Sequence, residues 1–268
     1  MEQLQTPMRI LILIVLLGLF LWILWGNTAL TLTEHTVSSE KIPAAFSGFR
    51  IAQISDLHNT EFGNNNEKLL DLLVQAQPDM IAITGDLIDS RETDCAVAIS
   101  FAREAVKIAP TYYVPGNHES RISEYPYLKS ELLAAGVVTL ENASFTFGKE
   151  HSAITVSGLM DPDFAIPMPE LTSENYQIVL SHRPELLDQY ADMELDLVLT
   201  GHAHGGQIRL PLLGGLYAPH QGFLSKYDSG IYRQANTTMV VSRGLGNSLF
   251  PLRVGNRPEL ILITLESV

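Results

Sequence analysis

Between Arg50 and Leu140, short apolar runs alternate with helical stripes, and this order constrains the fold more than any single residue does. Arg50–Ser55, Met80–Thr84, Thr111–Val114 and Val137–Leu140 read as strands. Asn66–Gln77 carries Leu69, Leu70, Leu72, Leu73 and Ala76 at helical spacing, and Pro78-Asp79 breaks it. Asp94–Ile108 reads as a second helix, closed by Pro110. Pro126–Ala135 reads as a third, with Pro126 near its start and Gly136 just past its end. A β-α-β-α-β-α-β order predicts an α/β domain with parallel strands. The second half is strand-rich: Ile154–Gly158, Gln177–Ser181, Leu195–Thr200, Ile231–Ala235, Thr238–Ser242 and Leu260–Thr264, with one short helix at Glu185–Tyr190. Residues 49–268, 220 in all, are an acceptable size for one domain of packed sheets flanked by helices.

Ahead of this domain lies Ile10–Trp25, an unbroken run of 16 residues that are apolar apart from Gly18. Extended to Leu30 it would span roughly 31 Å as a helix, enough to cross a bilayer. The run exceeds a typical signal-peptide core and no small-x-small cleavage site follows, which favours an uncleaved signal anchor over a cleaved signal peptide. Arg9 precedes it, so the positive-inside tendency puts Met1 in the cytoplasm and the rest outside, on the inner or plasma membrane. The expected organisation is an anchor over 1–33, a polar linker over 34–48 and the α/β domain over 49–268.

Composition removes other classes. The hydrophobic share of 46% with only 18% charged residues excludes a disordered chain. The single Cys95 cannot form an internal disulfide or build a thiolate zinc site, and it reads as a buried, inert residue. A net charge of −13 argues against nucleic-acid binding. The charge is uneven: residues 201–268 hold 6 basic and 3 acidic side chains, a net of +3, leaving −16 on residues 1–200.

Polar residues cluster where the apolar strands end. Ser55-Asp56-Leu57-His58 follows the first strand, Gly85-Asp86 the second, and Gly116-Asn117-His118-Glu119 the third. Later strands end in Ser181-His182 and in Gly201-His202-Ala203-His204. Ligands of α/β sheets bind at the carboxyl ends of strands. A mixed oxygen and nitrogen donor set without thiolate suits Mn, Fe, Zn or Co. Two such dications clamp an in-line displacement at phosphorus, and a coordinated water becomes a usable hydroxide nucleophile near pH 7.

Asp56-x-His58, Gly85-Asp86, Gly116-Asn117-His118-Glu119, His182 and Gly201-His202-x-His204 resemble the five signature blocks of the calcineurin-like metallophosphoesterases, in family order and over residues 49–268. The resemblance implies a four-layer αββα sandwich of two packed mixed sheets flanked by helices. It implies two divalent metal ions, the first held by Asp56, His58 and His204 and the second by Asn117, His182 and His202, with Asp86 bridging. His118 would face the phosphate and leaving group, as general acid or by stabilising charge. Gly205-Gly206-Gln207, Pro219-His220 and Ser242-Arg243-Gly244-Leu245-Gly246 are similar to a bacterial membrane-associated or exported branch of phosphodiesterases. A related group hydrolyses UDP-diacylglucosamine in lipid A synthesis.

Arg243, Arg183 and His220 are the candidate substrate contacts. Asp89 is a helix cap or supports a ligand, and Glu119 orients a histidine or is solvated. The leading expectation is a membrane-anchored phosphodiesterase acting on a phosphate ester, lipid-linked or not. A UDP-diacylglucosamine pyrophosphatase is the second reading, and a non-catalytic metal-binding scaffold the third. The oligomeric state is open.

Overall fold

The computed structural model describes residues 2–248 and 250–268. Helix α1 (Glu2–Thr28) leads into β1 (Thr31–Ser39). The alternating half follows as β2 (Arg50–Ile54), α2 (Glu67–Ala76), β3 (Met80–Thr84), α3 (Ala96–Ile108), β4 (Thr111–Val114), α4 (Tyr125–Ala135) and β5 (Val138–Thr139). Next come β6 (Ser144–Lys149), β7 (Ser152–Gly158), β8 (Tyr176–Leu180), α5 (Leu187–Asp192) and β9 (Leu197–Thr200). Two short ribbons, β10 (Arg209–Leu210) with β11 (Gly214–Gly215) and β12 (Tyr217–Ala218) with β13 (Gly222–Phe223), precede β14 (Gly230–Gln234), β15 (Thr237–Val241) and β16 (Glu259–Ser267).

The long strands form two six-stranded sheets, ordered β1-β16-β2-β3-β4-β5 and β14-β15-β9-β8-β7-β6. Side chains alternate across each strand, so each sheet feeds two cores. In β2 and β3, Ile51, Met80 and Ala82 face the second sheet, while Ala52, Ile54, Ile81 and Ile83 face the helices. The second sheet answers with Ile178, Leu180, Leu197, Leu199 and Val240 on the shared face. Its other face, with Val179, Val198 and Met239, packs against Leu187 and Tyr190 of α5. The result is the expected αββα sandwich, with both sheets mixed.

The structure corrects the linker expected over 34–48. Residues 31–39 form β1, which pairs in parallel with β16 over its full length. This strand lies at the sheet edge with most side chains half-buried or exposed, so its polar composition imitates a linker. Phe46, deeper in the same stretch, is fully buried between the sheets. The strand expected at Val137–Leu140 shrinks to β5, and the helix expected at Glu185–Tyr190 becomes a 3-10 turn over Pro184–Leu186 followed by α5.

Strands β2, β3, β4, β8 and β9 end at the same end of the sandwich. Gln53 Nε2 donates to the Thr200 carbonyl at 2.9 Å, and the Leu245 amide to the Ser55 carbonyl at 3.0 Å, tying the sheets together there.

Candidate metal centre

Five strand ends deliver the polar residues singled out by sequence. The backbone makes abrupt turns to do so: Asp56, His58, Asp86, His202 and His204 all have positive φ, between 46° and 64°. Non-glycine residues rarely adopt this conformation, and such strain concentrates at functional sites. The neighbouring glycines leave space. A Cβ on Gly201 would overlap Ser55 Oγ and Asp56 Oδ2, and one on Gly85 would lie 2.7 Å from the Gly116 backbone and from His182 Nδ1.

The side chains converge in two groups around one carboxylate. In the first, His58 Nε2 lies 3.2 Å from His204 Nε2, and Asp56 Oδ1 lies 3.3 Å from His204 Nε2. In the second, His182 Nε2 lies 3.2 Å from His202 Nδ1. Asp86 Oδ2 is shared, 3.7 Å from His58 Nε2 and 3.1 Å from His182 Nε2. The remaining bonds fix these groups: the His202 amide donates to both Asp56 oxygens, the His118 amide to Asp86 Oδ1, and His182 Nδ1 meets the Thr84 carbonyl at 2.7 Å. Asn117 Oδ1 is buried without a hydrogen-bond partner among the described residues.

This donor set suits a pair of divalent cations. Ring nitrogens face each other in both groups, and a buried amide oxygen is left over, an arrangement that bound cations satisfy. Burial favours the ligating, neutral rings. It pushes the His58 imidazole down to about 3, and it also lowers His202 and His204. His182 differs: burial opposes its charged form, but the Asp86 charge outweighs it and lifts the ring to about 10. Asp86 is held well below the usual carboxylate range, His182 and His58 overcoming its burial.

Glu119 is the main support. Fully buried, it accepts the amides of Leu87 at 2.7 Å, Gly116 at 2.8 Å and Asp86 at 3.0 Å, so one carboxylate ties the β3 and β4 loops together. Of the two roles weighed for Glu119, solvation is excluded and the orienting role falls on backbone rather than on a histidine. Asp89 acts through Arg91, which bonds it and also holds the Ser248 carbonyl at 2.6 Å.

Asp86, Asn117, His202 and His204 of these groups line a cleft of about 360 Å³. His118 stands at its edge, its ring 4.6 Å from that of His58. His220 and Arg183 are brought to the second group: His220 Nδ1 lies 2.8 Å from His202 Nε2 and 2.7 Å from Arg183 Nη1. Asp161 and Asp163 hold the Arg183 guanidinium. Arg243 is not brought there. Its backbone runs beside Asp56, but its side chain pairs with Glu259 at 2.7 Å and lines a separate groove against Trp22, Ile23 and Gly26 of α1. Arg121, Gln207, Tyr217, Ser248 and Phe250, which sequence reasoning missed, line the cleft instead. Arg121 follows Glu119 by two residues and Gln207 closes the Gly205-Gly206-Gln207 stretch, so both had a signal beside them; Tyr217, Ser248 and Phe250 come from loops without motif character.

Comparison with known proteins agrees with this geometry. The chain is 32% identical over 245 residues to the uncharacterized metallophosphoesterase YkuE of Bacillus subtilis, covering 88% of this chain and 85% of that protein. It is 28% identical over 241 residues to the phosphodiesterase YaeI of Escherichia coli, covering 87% of each. It is 26% identical over 248 residues to a transmembrane protein with metallophosphoesterase domain of Danio rerio, covering 85% of this chain and 55% of that protein. Residues 49–206 match the calcineurin-like phosphoesterase family, and with the two His/Asp groups at the strand ends the chain belongs to that family of hydrolases acting on phosphoric esters.

Proposed function

We propose that the chain is a membrane-anchored phosphodiesterase with a dinuclear metal centre. The observation that carries this is the shared position of Asp86 Oδ2 between two histidine groups on the floor of one cleft. Asp56, His58 and His204 hold one cation, Asn117, His182 and His202 the other, and Asp86 bridges. Bound there, the cations supply Lewis acidity at phosphorus and an activated water. His118 presents Nε2 to the leaving group, and Arg183, His220 and Arg121 meet the phosphate oxygens. Mn, Fe, Zn and Co all match the donors.

Helix α1 supports the anchor. Pro7–Thr28 has a mean hydropathy of 2.6, and its apolar side chains from Met8 to Trp25, half-buried Ile23 apart, are exposed in the fold. An apolar helix left outside the core requires a bilayer or a partner. Arg9 on its amino side favours a cytoplasmic Met1 and a catalytic domain outside.

A second reading, cleavage of the pyrophosphate in a nucleotide-linked diacylsugar, draws support from Tyr217 and Phe250 at the cleft wall. A reporter fused at Val268 separates the two, since nucleotide-linked sugars are cytoplasmic. The scaffold reading finds no support, because all seven ligand positions and His118 are filled. The central test is Asp86→Ala in purified full-length protein, with bound metal and bis(p-nitrophenyl) phosphate turnover measured together. Loss of both is expected; undiminished turnover overturns the assignment.

A further inference from the structure

The cleft opens beside an apolar surface that none of the three cores absorbs. Leu212 at the tip of the β10–β11 ribbon is fully exposed, at 106%, and Leu213 follows at 63%. Phe223 and Leu224 are exposed at 77% and 61%, and Phe250 and Leu252 by nearly half. Backbone bonds stitch these segments into one face: the Leu216 amide to the Ile208 carbonyl, Leu224 to Leu216, and Arg209 to Val254. Gln207 Nε2 closes the set on the carbonyls of Phe250 and Leu252. Contiguous exposed apolar residues mark a site of association.

The same face is bonded to the end of α1. Asn27 Oδ1 accepts the Arg253 amide at 2.7 Å, and its Nδ2 donates to the Arg253 carbonyl at 2.9 Å. Arg257 lies over the Trp25 ring at 4.7 Å and donates to the carbonyls of Ala29 and Leu30. If α1 spans a bilayer, Trp22 and Trp25 mark its interface. The segment carrying Phe250 and Leu252 then leaves the chain at that level.

Charge selects the occupant. The chain has 30 Asp and Glu, yet none falls within 201–227 or within 243–258, the two stretches that build this face. Those stretches hold Arg209, Lys226, Arg243, Arg253 and Arg257; Arg253 is buried and Arg209 and Arg243 pair with Asp228 and Glu259 from outside them, so Lys226 and Arg257 are the cations left for a headgroup. A surface tipped with Leu and Phe, whose own stretches carry no carboxylate and keep Lys226 exposed and Arg257 at the end of α1, matches an anionic lipid interface. It fits a second copy of this acidic chain less well, since the patch itself would face a like patch. We infer that the 208–224 and 250–252 loops are a second membrane contact, dipping into the leaflet beside α1 and holding the catalytic cleft against the lipid headgroups. The cleft then takes phosphate esters presented at the membrane surface. This rests on the reading of α1 as an anchor.

The test uses the full chain in vesicles of phosphatidylethanolamine and phosphatidylglycerol. The background is Cys95→Ala, with an environment-sensitive NBD label at Leu212→Cys. A label at Lys149→Cys is the reference, because the β6–β7 turn lies at the opposite end of its sheet from the ligands. Blue-shifted emission quenched by doxyl-labelled lipid is expected at position 212, and water-like emission at 149. Water-like emission at 212 overturns the docking. A blue shift without lipid quenching places the patch against another protein surface and overturns it equally. Carbonate extraction separates the two readings: a chain released into the wash removes the anchor, whereas a retained chain with unquenched 212 removes only the docking. As a second arm, Leu212→Asp/Leu213→Asp should lower turnover of a vesicle-borne phosphodiester roughly tenfold, with nitrophenyl phosphodiester turnover in detergent unchanged.

Discussion

The backbone amide of Ser90 donates a hydrogen bond to Nδ1 of His118 at 2.9 Å. A nitrogen that accepts this bond carries no proton, so His118 is neutral with its hydrogen on Nε2. Ser248 Oγ, 3.2 Å from Nε2, takes that hydrogen in the absence of substrate. In the proposed reaction His118 therefore acts as a hydrogen-bond donor to the departing oxygen rather than as an imidazolium acid. We expect His118→Ala to lower turnover of alkyl phosphodiesters roughly 10²–10³-fold. Nitrophenoxide needs little help in leaving, so its esters should lose only about tenfold. Steady-state rates across a series of leaving groups check this, and an equal loss for all of them would exclude the role.

Glu119 yields a prediction of a different kind, because it touches backbone and not substrate. Three amides point at one buried carboxylate, and Ile88 adds a longer contact at 3.4 Å. Glu119→Gln keeps the shape but turns an NH2 toward N–H donors. Each buried donor left unpaired costs about 1–3 kcal/mol. The variant should melt at lower temperature and bind metal more weakly, since Asp86 and Asn117 sit on the two loops it joins. Calorimetry and metal titration read both, and a variant as stable as the wild type would remove Glu119 from this role.

The convergence of the seven candidate ligands and His118 was legible because β2, β3, β4, β8 and β9 are short apolar runs that stop at chemistry-bearing residues. The topology brings those ends together, so linear order sufficed. Arg243 misled because its basic character and glycine neighbours suggest a phosphate contact, while Glu259, 16 residues later in sequence, claims it. Ser248 and Phe250 were invisible because their place in the cleft depends on buried Arg253 and on Asn27, more than 200 residues away. β1 was missed because an edge strand buries little, leaving no apolar alternation to read.

Removing the metals exposes the titrations they suppress. In the metal-free protein His58, His202 and His204 are lowered by burial, so the unfolded chain binds more protons below pH 6.5. Stability from these groups is present above 6.5 and lost as pH falls toward the His58 value of about 3. His182, raised to about 10, has the opposite sign: its contribution is present below 6.5 and lost as pH rises through 10. Glu119, which burial and the Asp86 charge raise to about 8, adds to the alkaline loss. Chelated protein should be most heat-stable slightly below pH 6.5 and decline on both sides. Metal-loaded protein should keep its stability on the alkaline side, where a bound cation has displaced the His182 proton. Melting curves between pH 4 and 10 with and without chelator decide this; parallel profiles would contradict it.

Arg253 links the anchor to the cleft, and its burial makes that link testable. The guanidinium is 1% exposed and has no carboxylate partner among the described residues. Burial pushes it down to about 10. It donates to the carbonyls of Arg243 and Gly246 and to Asn247 Oδ1, fixing the loop that presents Ser248 to His118. A lysine carries the charge but not the planar fork, so Arg253→Lys leaves at least one of these acceptors unpaired. We expect a loss of about 1–3 kcal/mol in stability. Turnover should fall further than bound metal, because the loop presents Ser248 to His118 but meets a proposed ligand only through the Gly246 amide, 2.7 Å from the Asp56 carbonyl. Asn27→Ala removes the adjoining bonds to the Arg253 backbone and should produce a weaker version of the same effect. If either variant instead loses metal while keeping its stability, the loop supports the metal centre directly and this division of roles is wrong.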